Sequence, residues 1–324
     1  MIFRAPEPDV VIPDVALTPF LFERTASLGD KPAFIDGPTG RTLTYRGWAE
    51  GVRRAAAGLS ARGFRKGDVL AIYSPNLPEY AIAFHAVSLL GGVVTTINPV
   101  YTAAELQHQL EDAGARVLVT VPPCLEKAAP AARAAGVREI FTFGETSGAT
   151  PFAALLTAQG NPPAVAIDPA THVVVLPYSS GTTGLPKGVM LTHRNLVANM
   201  LQSTCALDIG ERDTILGVLP FFHIYGMVVI MNLGLYLGST VVTVPRFDLE
   251  LCLQTMQTYG VTFANVVPPI VLAFAKSPIV DKYDLSRLHT VFSGAAPLSE
   301  SVATAAATRL GCRVVQGYGL TETS

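Results

Sequence analysis

The sequence contains few charged residues and few cysteines. Only 15% of its 324 residues are charged, and the 23 basic and 25 acidic side chains give a net charge of −2. Nucleic-acid-binding surfaces need clustered basic residues, so we expect no nucleic-acid partner. The cysteines, Cys124, Cys205, Cys252 and Cys312, are far apart and form no CxxC pair. We therefore expect neither a zinc site nor a disulfide framework, but buried free thiols in a reducing, cytoplasmic compartment.

The sequence also lacks a continuous hydrophobic run long enough to cross a membrane. No formal charge occurs between Thr214 and Pro245, but Pro220, His223 and several glycines interrupt this stretch. Its apolar segments are shorter than the ~20 residues that a membrane-spanning helix needs. We therefore expect a buried strand–helix–strand unit there, and no transmembrane segment.

Short apolar runs alternate with amphipathic stretches along most of the chain. Runs such as 93–97 and 240–244 have the composition of buried strands, and the segments between such runs have helical periodicity. Buried strands separated by helices form mostly parallel sheets that are covered on both faces. We therefore predict an α/β fold of two stacked βα subdomains, at residues 1–160 and 161–324. The stretch 146–170, which has no clear period, is the expected linker.

A polar loop follows the buried apolar run 173–177. It lies within the segment 178–193, which reads YSSGTTGLPKGVMLTH. Its glycines let the backbone approach a ligand closely, its hydroxyls can donate to anionic oxygens, and its lysine supplies a positive charge. The loop residues expected to bind a polyphosphate are Ser179, Ser180, Gly181, Thr182, Thr183, Gly184 and Lys187.

A Walker A motif does not fit this loop. When Lys187 is aligned with the motif lysine, Pro186 stands where a glycine is required and Gly188 where a serine or threonine is required. The loop is therefore a phosphate loop of another type. On its composition alone, a flexible surface turn is an equally good interpretation.

Three further segments follow predicted strands, at the sheet edge where α/β proteins bind ligands. They are 219–226 (LPFFHIYG), 293–298 (SGAAPL) and 316–323 (QGYGLTET). Taken by itself, the histidine of the first segment is best interpreted as a core residue that is hydrogen-bonded to a carbonyl group. Taken by itself, the second segment is also typical of a tight turn between a strand and a helix. The third fails as a dinucleotide-binding fingerprint, because Glu322 stands where the third glycine belongs.

Taken together, the four segments resemble the motifs of the adenylate-forming superfamily, which includes acyl-CoA synthetases, 4-coumarate–CoA ligases and beetle luciferases. The loop and the YGLTE string carry most of the resemblance, and shorter matches such as 74–76 (SPN) and 95–101 (TTINPVY) extend it. The 4-coumarate–CoA ligase branch matches best. The resemblance implies an incomplete large N-terminal domain, with the rest of that domain and the small C-terminal domain of the same chain absent.

The resemblance implies ATP-dependent activation of a small carboxylic acid to an acyl-adenylate, followed by transfer of the acyl group to coenzyme A, with Mg²⁺ as cofactor. The residues that it marks as catalytic are Lys187, His223, Thr321 and Glu322, with Glu322 and Thr183 as metal ligands. Further nucleotide or CoA contacts are implied at Gln316, Gly317, Tyr318, Thr321 and Arg246. The acid is expected against His223, Tyr225, Gly294, Ala295, Ala296, Gly317 and Gly319.

Several alternatives stay open at this point. The acid is either an aryl or arylpropenoic acid such as 4-coumarate, or a medium-chain fatty acid. A luciferase-like adenylating monooxygenase shares the same motifs, and a non-catalytic nucleotide-binding fragment is also consistent with them. Because elements that complete the family's active site are not in the sequence, we expect residues 1–324 by themselves to form acyl-CoA poorly.

Overall fold

The computed structural model describes residues 9–179 and 186–324, in which strands and helices alternate. The strands are β1 (Pro32–Asp36), β2 (Thr42–Thr44), β3 (Val69–Tyr73), β4 (Val93–Ile97), β5 (Ala115–Thr120), β6 (Glu139–Thr142), β7 (Thr150–Pro151), β8 (Val173–Ser179), β9 (Lys187–Gly188), β10 (Leu191–Thr192), β11 (Thr214–Gly217), β12 (Thr240–Thr243), β13 (Phe263–Val266), β14 (Thr290–Ser293) and β15 (Arg313–Gln316).

The α-helices are α1 (Leu17–Thr25), α2 (Tyr45–Ala61), α3 (Pro78–Leu89), α4 (Ala103–Asp112), α5 (Leu125–Ala134), α6 (His193–Ala206), α7 (Leu233–Leu237), α8 (Leu249–Tyr259), α9 (Pro268–Lys276) and α10 (Glu300–Leu310). A π-helix covers Tyr225–Asn232. Short 3-10 turns lie at Pro122–Cys124, Phe152–Thr157, Pro278–Lys282 and Thr321–Thr323.

The strands form two sheets. A seven-stranded sheet has the order β15-β14-β13-β11-β12-β1-β2, and an eight-stranded sheet has the order β10-β8-β4-β3-β5-β6-β7, with β9 also paired to β8. Among the described strands, antiparallel pairing is confined to β2 with β1, and to β9 and β10 with β8. The predicted α/β class with two mostly parallel sheets is confirmed.

Membership of the sheets does not follow the order of the chain. β1 and β2 join the seven-stranded sheet, whose other strands lie between residues 214 and 316, because β1 pairs in parallel with β12. β8, which leads into the predicted phosphate loop, belongs to the eight-stranded sheet beside β4. The predicted division at residues 160 and 161 is therefore not a division between sheets. As a domain boundary it stays a prediction.

The stretch expected as a linker is partly packed structure. β7 pairs with β6, and Phe152 and Leu155 in the following 3-10 turn are buried against α2. The contact is close: a Cβ on Gly58 of α2 would lie 2.6 Å from the carbonyl oxygen of Leu155. The linker interpretation is therefore wrong for 150–157, because two apolar side chains are enough to anchor a segment that has no period.

The uncharged stretch between Thr214 and Pro245 forms β11, the π-helix, α7 and β12, which is the predicted buried unit. In the described part of the chain, no helix has the length and apolar character needed to cross a membrane. All four cysteines are free, but Cys205 is exposed and only Cys252 is fully buried. The expectation of buried thiols was wrong for Cys205, which lies near the end of α6.

Candidate active site

A groove of about 710 Å³ lies at the carboxyl ends of strands from both sheets. Ser179 ends β8 of the eight-stranded sheet, and the segments that follow β11, β14 and β15 come from the seven-stranded sheet. The predicted site residues that line the groove are Ser179, His223, Tyr225, Gly294, Ala295, Gln316, Gly317, Tyr318, Gly319, Thr321 and Glu322. Parallel strands bring their carboxyl ends to one edge, so segments that are distant in sequence meet there.

The two described ends of the predicted phosphate loop are paired as a hairpin. Ser179 lies opposite Lys187, whose side chain is exposed. Tyr178 supports this pair: a Cβ on Gly188 would lie 3.1 Å from its ring, and its hydroxyl group forms a hydrogen bond with Asp112. The remaining predicted loop ligands, Ser180, Gly181, Thr182, Thr183 and Gly184, lie outside the described residues.

His223 lies in the loop between β11 and the π-helix, and it lines the groove. Its Nδ1 accepts a hydrogen bond from the backbone N–H of Tyr225 at 3.3 Å, so the proton of the neutral ring is on Nε2. Partial desolvation by the surrounding protein lowers the pKa of His223, although the side chain keeps access to solvent. At neutral pH the ring is therefore uncharged, with Nε2–H as its remaining donor for a carboxylate or phosphate oxygen.

Asn76 holds the loop that carries His223. Its Nδ2 donates to the carbonyl oxygens of Gly217 and Leu219 at 2.9 and 2.8 Å. Its Oδ1 accepts from the N–H of Phe221 at 2.7 Å. Asn76 is buried and follows β3 of the other sheet. In the sequence, Asn76 is notable only as part of the SPN match, because a contact across 145 positions leaves no local pattern.

Two adjacent threonines of β4 connect the loop after β11 with β8 through hydrogen bonds. Thr96 donates to the carbonyl oxygen of Phe222 at 2.7 Å, and Thr95 donates to that of Leu176 in β8 at 3.1 Å. Gln109 of α4 donates to the Thr95 hydroxyl and the Thr96 carbonyl at 3.0 and 3.1 Å. This buried network fixes the loop after β11 relative to the strand before the predicted phosphate loop.

We expect Asn76→Asp to lower the free energy of unfolding by roughly 2–4 kcal/mol. The carboxylate still accepts from Phe221, but it loses both donors and faces two carbonyl oxygens. Urea unfolding followed by the fluorescence of Trp48, the only tryptophan, measures this. Asn98→Asp is the matched control, because within 9–179 and 186–324 the Asn98 side chain only accepts, from the N–H of Val100, and a carboxylate keeps that bond. Equal stability of the two variants would contradict the role of Asn76.

Tyr225 and Phe292 form the wall behind two of the predicted glycines. The Tyr225 hydroxyl donates to the carbonyl oxygen of Phe292 at 3.0 Å, and the rings meet edge to face with centroids 6.0 Å apart. A Cβ on Gly294 would lie 2.8 Å from the Tyr225 ring, and one on Gly317 would lie 2.3 Å from the Phe292 ring. The space where a side chain of either glycine would lie is therefore occupied by a ring of the protein and is not open. The flat acid pocket stays a prediction, and Phe292 joins its wall.

Ala295 adopts a left-handed backbone conformation, with φ of 71°. Non-glycine residues rarely adopt this conformation, and strained residues cluster at ligand sites. The strain lies in the turn between β14 and α10, at the edge of the groove. It supports the interpretation of SGAAPL as a functional turn.

The segment after β15 forms the outer edge of the groove. Gln316 accepts a hydrogen bond from the N–H of Leu298 at 3.0 Å, which ties this segment to the one after β14. The Tyr318 side chain is 91% exposed, so an aromatic face is available to a purine ring. The turn Thr321–Thr323 contacts β8, which places Glu322 beside the strand that leads into the predicted phosphate loop.

The residues at this edge suit Mg²⁺ bound together with phosphates. Among the described residues, no group of three or more His, Cys, Asp or Glu side chains forms a complete metal site. Mg²⁺ characteristically takes one or two carboxylates together with water and phosphate oxygens. Glu322, an exposed carboxylate on the groove, fits that pattern, whereas its predicted partner Thr183 lies outside the described residues.

Three of the predicted site residues that the structure describes do not line the groove. They are Lys187, Arg246 and Ala296, and all three are exposed. Arg246 follows β12, which is the neighbour of β11, so it lies at the same edge of the seven-stranded sheet. Their proposed contacts with ligands stay predictions.

Residues 21–324 match the model of a family described as AMP-binding enzyme. The chain belongs to this family. Curated relatives in the family include 4-coumarate–CoA ligase 5 of Oryza sativa subsp. japonica, 43% identical, and 4-coumarate–CoA ligase 2 of Petroselinum crispum, 40% identical. Both alignments cover 99% of this chain and 60% of the relative, so the chain spans about 60% of the length of these relatives.

Solved structures of AMP-binding enzymes share the fold. A long-chain-fatty-acid–CoA ligase from Archaeoglobus fulgidus superposes with a TM-score of 0.89 at 27% identity, over 99% of this chain and 67% of that one. A red-emitting luciferase from Phrixothrix hirtus gives 0.88 at 26%, over 98% and 80%. The resemblance drawn from the sequence and the match to the N-terminal domain of adenylate-forming enzymes are confirmed. AMP-forming CoA ligases use ATP, Mg²⁺ and CoA, which are the predicted cofactors.

Proposed function

We propose that this chain carries the nucleotide- and acid-binding site of an AMP-forming carboxylate–CoA ligase. The supporting observation is the groove, which joins Ser179 beside the phosphate loop, His223 and Glu322 at one edge of the fold. A donor for a carboxylate, a donor for phosphates and a hard oxygen for a cation are thus within one cavity. The relatives at about 40% identity, which are named as 4-coumarate–CoA ligases, favour the same reaction.

In the proposed reaction, a carboxylate oxygen of the acid attacks the α-phosphorus of ATP. A phosphorus–oxygen bond forms, the bond to pyrophosphate breaks, and acyl-AMP results. The thiolate of CoA, its proton having been lost to solvent, then attacks the acyl carbon. A carbon–sulfur bond forms, the carbon–oxygen bond to AMP breaks, and AMP leaves with that oxygen. Bound Mg²⁺ would supply charge neutralisation for the phosphates. The described residues contribute orientation: the Nε2–H of His223 fixes an oxygen of the acid or of acyl-AMP, and Lys187 meets the β and γ phosphates.

A luciferase-like monooxygenase is the second candidate, because luciferases share the fold at a TM-score of 0.88. Both enzymes would make acyl-AMP, and they differ in what consumes it, CoA or oxygen. The higher identity to 4-coumarate–CoA ligases favours CoA. Oxygen uptake or light emission that depends on ATP and the acid would reverse this order.

A stable mimic of acyl-AMP tests the site directly. The probe is coumaroyl-sulfamoyl-adenosine, in which a sulfamate replaces the phosphate, and it is titrated calorimetrically into the 324-residue chain. We expect binding that weakens in the His223→Ala variant, and acid-dependent pyrophosphate release when ATP, Mg²⁺ and 4-coumarate or decanoate are supplied. Binding of ATP without binding of the mimic would favour a nucleotide-binding role. Binding of neither would overturn the proposal.

We expect Lys187→Ala to weaken ATP binding by about 10–100-fold, because charge-assisted hydrogen bonds contribute about 1.5–3 kcal/mol. Lys187 is exposed, so the melting temperature should stay within about a degree of the wild type. Calorimetric titration with ATP and Mg²⁺ and a thermal melt measure the two effects. Lys282→Ala, which changes another exposed lysine, is the control. A sharp fall in melting temperature at unchanged ATP affinity would show that Lys187 is structural.

A further inference from the structure

The groove continues beyond the proposed acid site, along one face of β13, β14 and β15. Residues two apart on a strand share a face, and here they form paired rows, because β14 and β15 run parallel. Gly294 and Gly317 lie at the active-site end. Next comes the pair Phe292 and Val315, and then the pair Thr290 and Arg313. All six residues line the groove. Its floor therefore changes from apolar to polar with distance from the site.

We propose that the far end of the groove binds a second carboxylate, at the distal end of the acyl substrate, through the guanidinium of Arg313. This proposal rests on the proposed function. It identifies the class of acid as aliphatic dicarboxylic acids. The substrate would then have a reacting carboxylate near His223, an apolar body over Phe292 and Val315, and a charged tail at Arg313.

A chain of hydrogen bonds positions Arg313. The guanidinium donates to the hydroxyl oxygen of Thr290 at 3.4 Å, and Thr290 is hydrogen-bonded to Nδ1 of His289 at 2.9 Å. Nε2 of His289 is 2.8 Å from a carboxylate oxygen of Asp213. The Thr290 oxygen is thus within hydrogen-bond distance of both Arg313 and His289, and it links the guanidinium to His289 and Asp213. The guanidinium is thus anchored at the groove from beneath.

The present partner of Arg313 is easily displaced. Asp208, just beyond α6 on the opposite wall, accepts from Arg313 at 2.9 Å, with side chains that are 84% and 59% exposed, respectively. Exposed ion pairs of this kind contribute about 0–1 kcal/mol, because water solvates both charges nearly as well. A ligand carboxylate that matches the planar guanidinium can replace Asp208, which returns to water at little cost.

The spacing of the rows sets the length of the substrate. From Gly294 to Thr290 the strand covers four residues, or ~13 Å at ~3.3 Å per residue. A saturated chain advances ~1.3 Å per carbon–carbon bond of ~1.5 Å, so about ten carbons span this distance. Decanedioate has about this length, whereas decanoate has the same length but no distal charge.

The test compares these two acids in calorimetric titrations of the 324-residue chain. The measured quantity is the ratio of the Kd for decanoate to the Kd for decanedioate. We expect Arg313→Met to lower this ratio by about two- to fivefold, as for the loss of one exposed ion pair. Arg313→Lys should keep most of the ratio, and Asp208→Asn should raise it, because the competing carboxylate is removed. Arg212→Met, which changes an exposed arginine that does not line the groove, is the matched control.

The opposite signs at Arg313 and Asp208 separate recognition from a structural role, since loss of a structural ion pair would affect both acids and both variants alike. If both acids bind and the ratio is the same in all variants, the inference is overturned and the proposed function stands. If neither acid nor the acyl-AMP mimic binds, the proposed function itself is overturned, and the inference falls with it.

Discussion

Replacing Gly226 with alanine should abolish the active conformation of the loop that carries His223. Gly226 lies in the first turn of the π-helix, directly above the preceding loop. A Cβ there would lie 2.1 Å from the carbonyl oxygen of Pro220 and 2.7 Å from that of Leu219, whereas real Cβ contacts are essentially never under 3.0 Å. Both obstructing atoms belong to the backbone, so no side-chain rotation relieves the overlap. We expect a loss of about 4 kcal/mol or more in the free energy of unfolding.

Urea unfolding of the Gly226→Ala variant measures this loss, and titration with the acyl-AMP mimic reports the state of the groove. Gly210→Ala is the control, because a Cβ on Gly210 meets no atom within 4 Å and its backbone is not left-handed. That control should be neutral or slightly stabilising, since alanine restricts the unfolded chain. A Gly226→Ala protein as stable as the control would show that the loop adjusts freely.

Acidification should destabilise the fold through two buried histidines, His85 of α3 and His193 at the start of α6. Nδ1 of His85 is 3.0 Å from the Thr18 hydroxyl, and Nδ1 of His193 accepts from the N–H of Leu17 at 3.2 Å. Burial, with a smaller contribution from a neighbouring histidine, lowers the pKa of His85 to about 3 and that of His193 to about 4. Both rings are therefore neutral in the folded protein at any pH above about 4.

The sign of the effect follows from proton binding. Above pH ~6.5 the histidines are neutral in both states and contribute no pH dependence. Below it the unfolded chain binds protons that the folded chain excludes, so stability falls with pH until the folded pKa values are reached. Between pH 7 and pH 5 the two histidines together should cost roughly 3–4 kcal/mol.

Urea unfolding at pH 7 and pH 5 tests this linkage. The double variant with His85→Gln and His193→Gln should lose markedly less stability between the two pH values than the wild type, whatever its stability at pH 7. His108→Gln, at a partly exposed histidine of α4, should behave like the wild type. An unchanged pH dependence in the double variant would show that other groups cause the acid sensitivity.

The structural setting explains why this pair matters. α3 is buried along nearly its whole length, and it contacts β3 and β4 of one sheet and β1 of the other. A proton on His85 would place a charge in the layer between the sheets, where desolvation is most costly. The local sequence does not show that His85 is buried. Only the packing of α3 between the sheets distinguishes it from a partly exposed histidine such as His108.

Local features of the sequence were sufficient for the fold class and for most of the candidate site. The apolar run 93–97 became β4 with the predicted bounds, and the run 240–244 became β12, one residue shorter, because strand formation follows local composition. The glycine- and hydroxyl-rich loop and the YGLTE string identified the family, because phosphate binding needs those residue types within a few positions. The convergence of Ser179, His223 and Glu322 on one groove followed from the parallel strand arrangement, which the alternating pattern already implied.

Tertiary structure alone decided which strands share a sheet, what holds His223 in place and what fills the space beside the glycines. β1 pairs with β12, which lies more than 200 residues later in the chain. Asn76, which follows a strand of the other sheet, forms hydrogen bonds with the loop after β11. The rings of Tyr225 and Phe292 cover Gly294 and Gly317. Each of these depends on contacts between atoms far apart along the chain. Local composition and periodicity carry no information about such pairs, so they become visible only when the sheets are assembled.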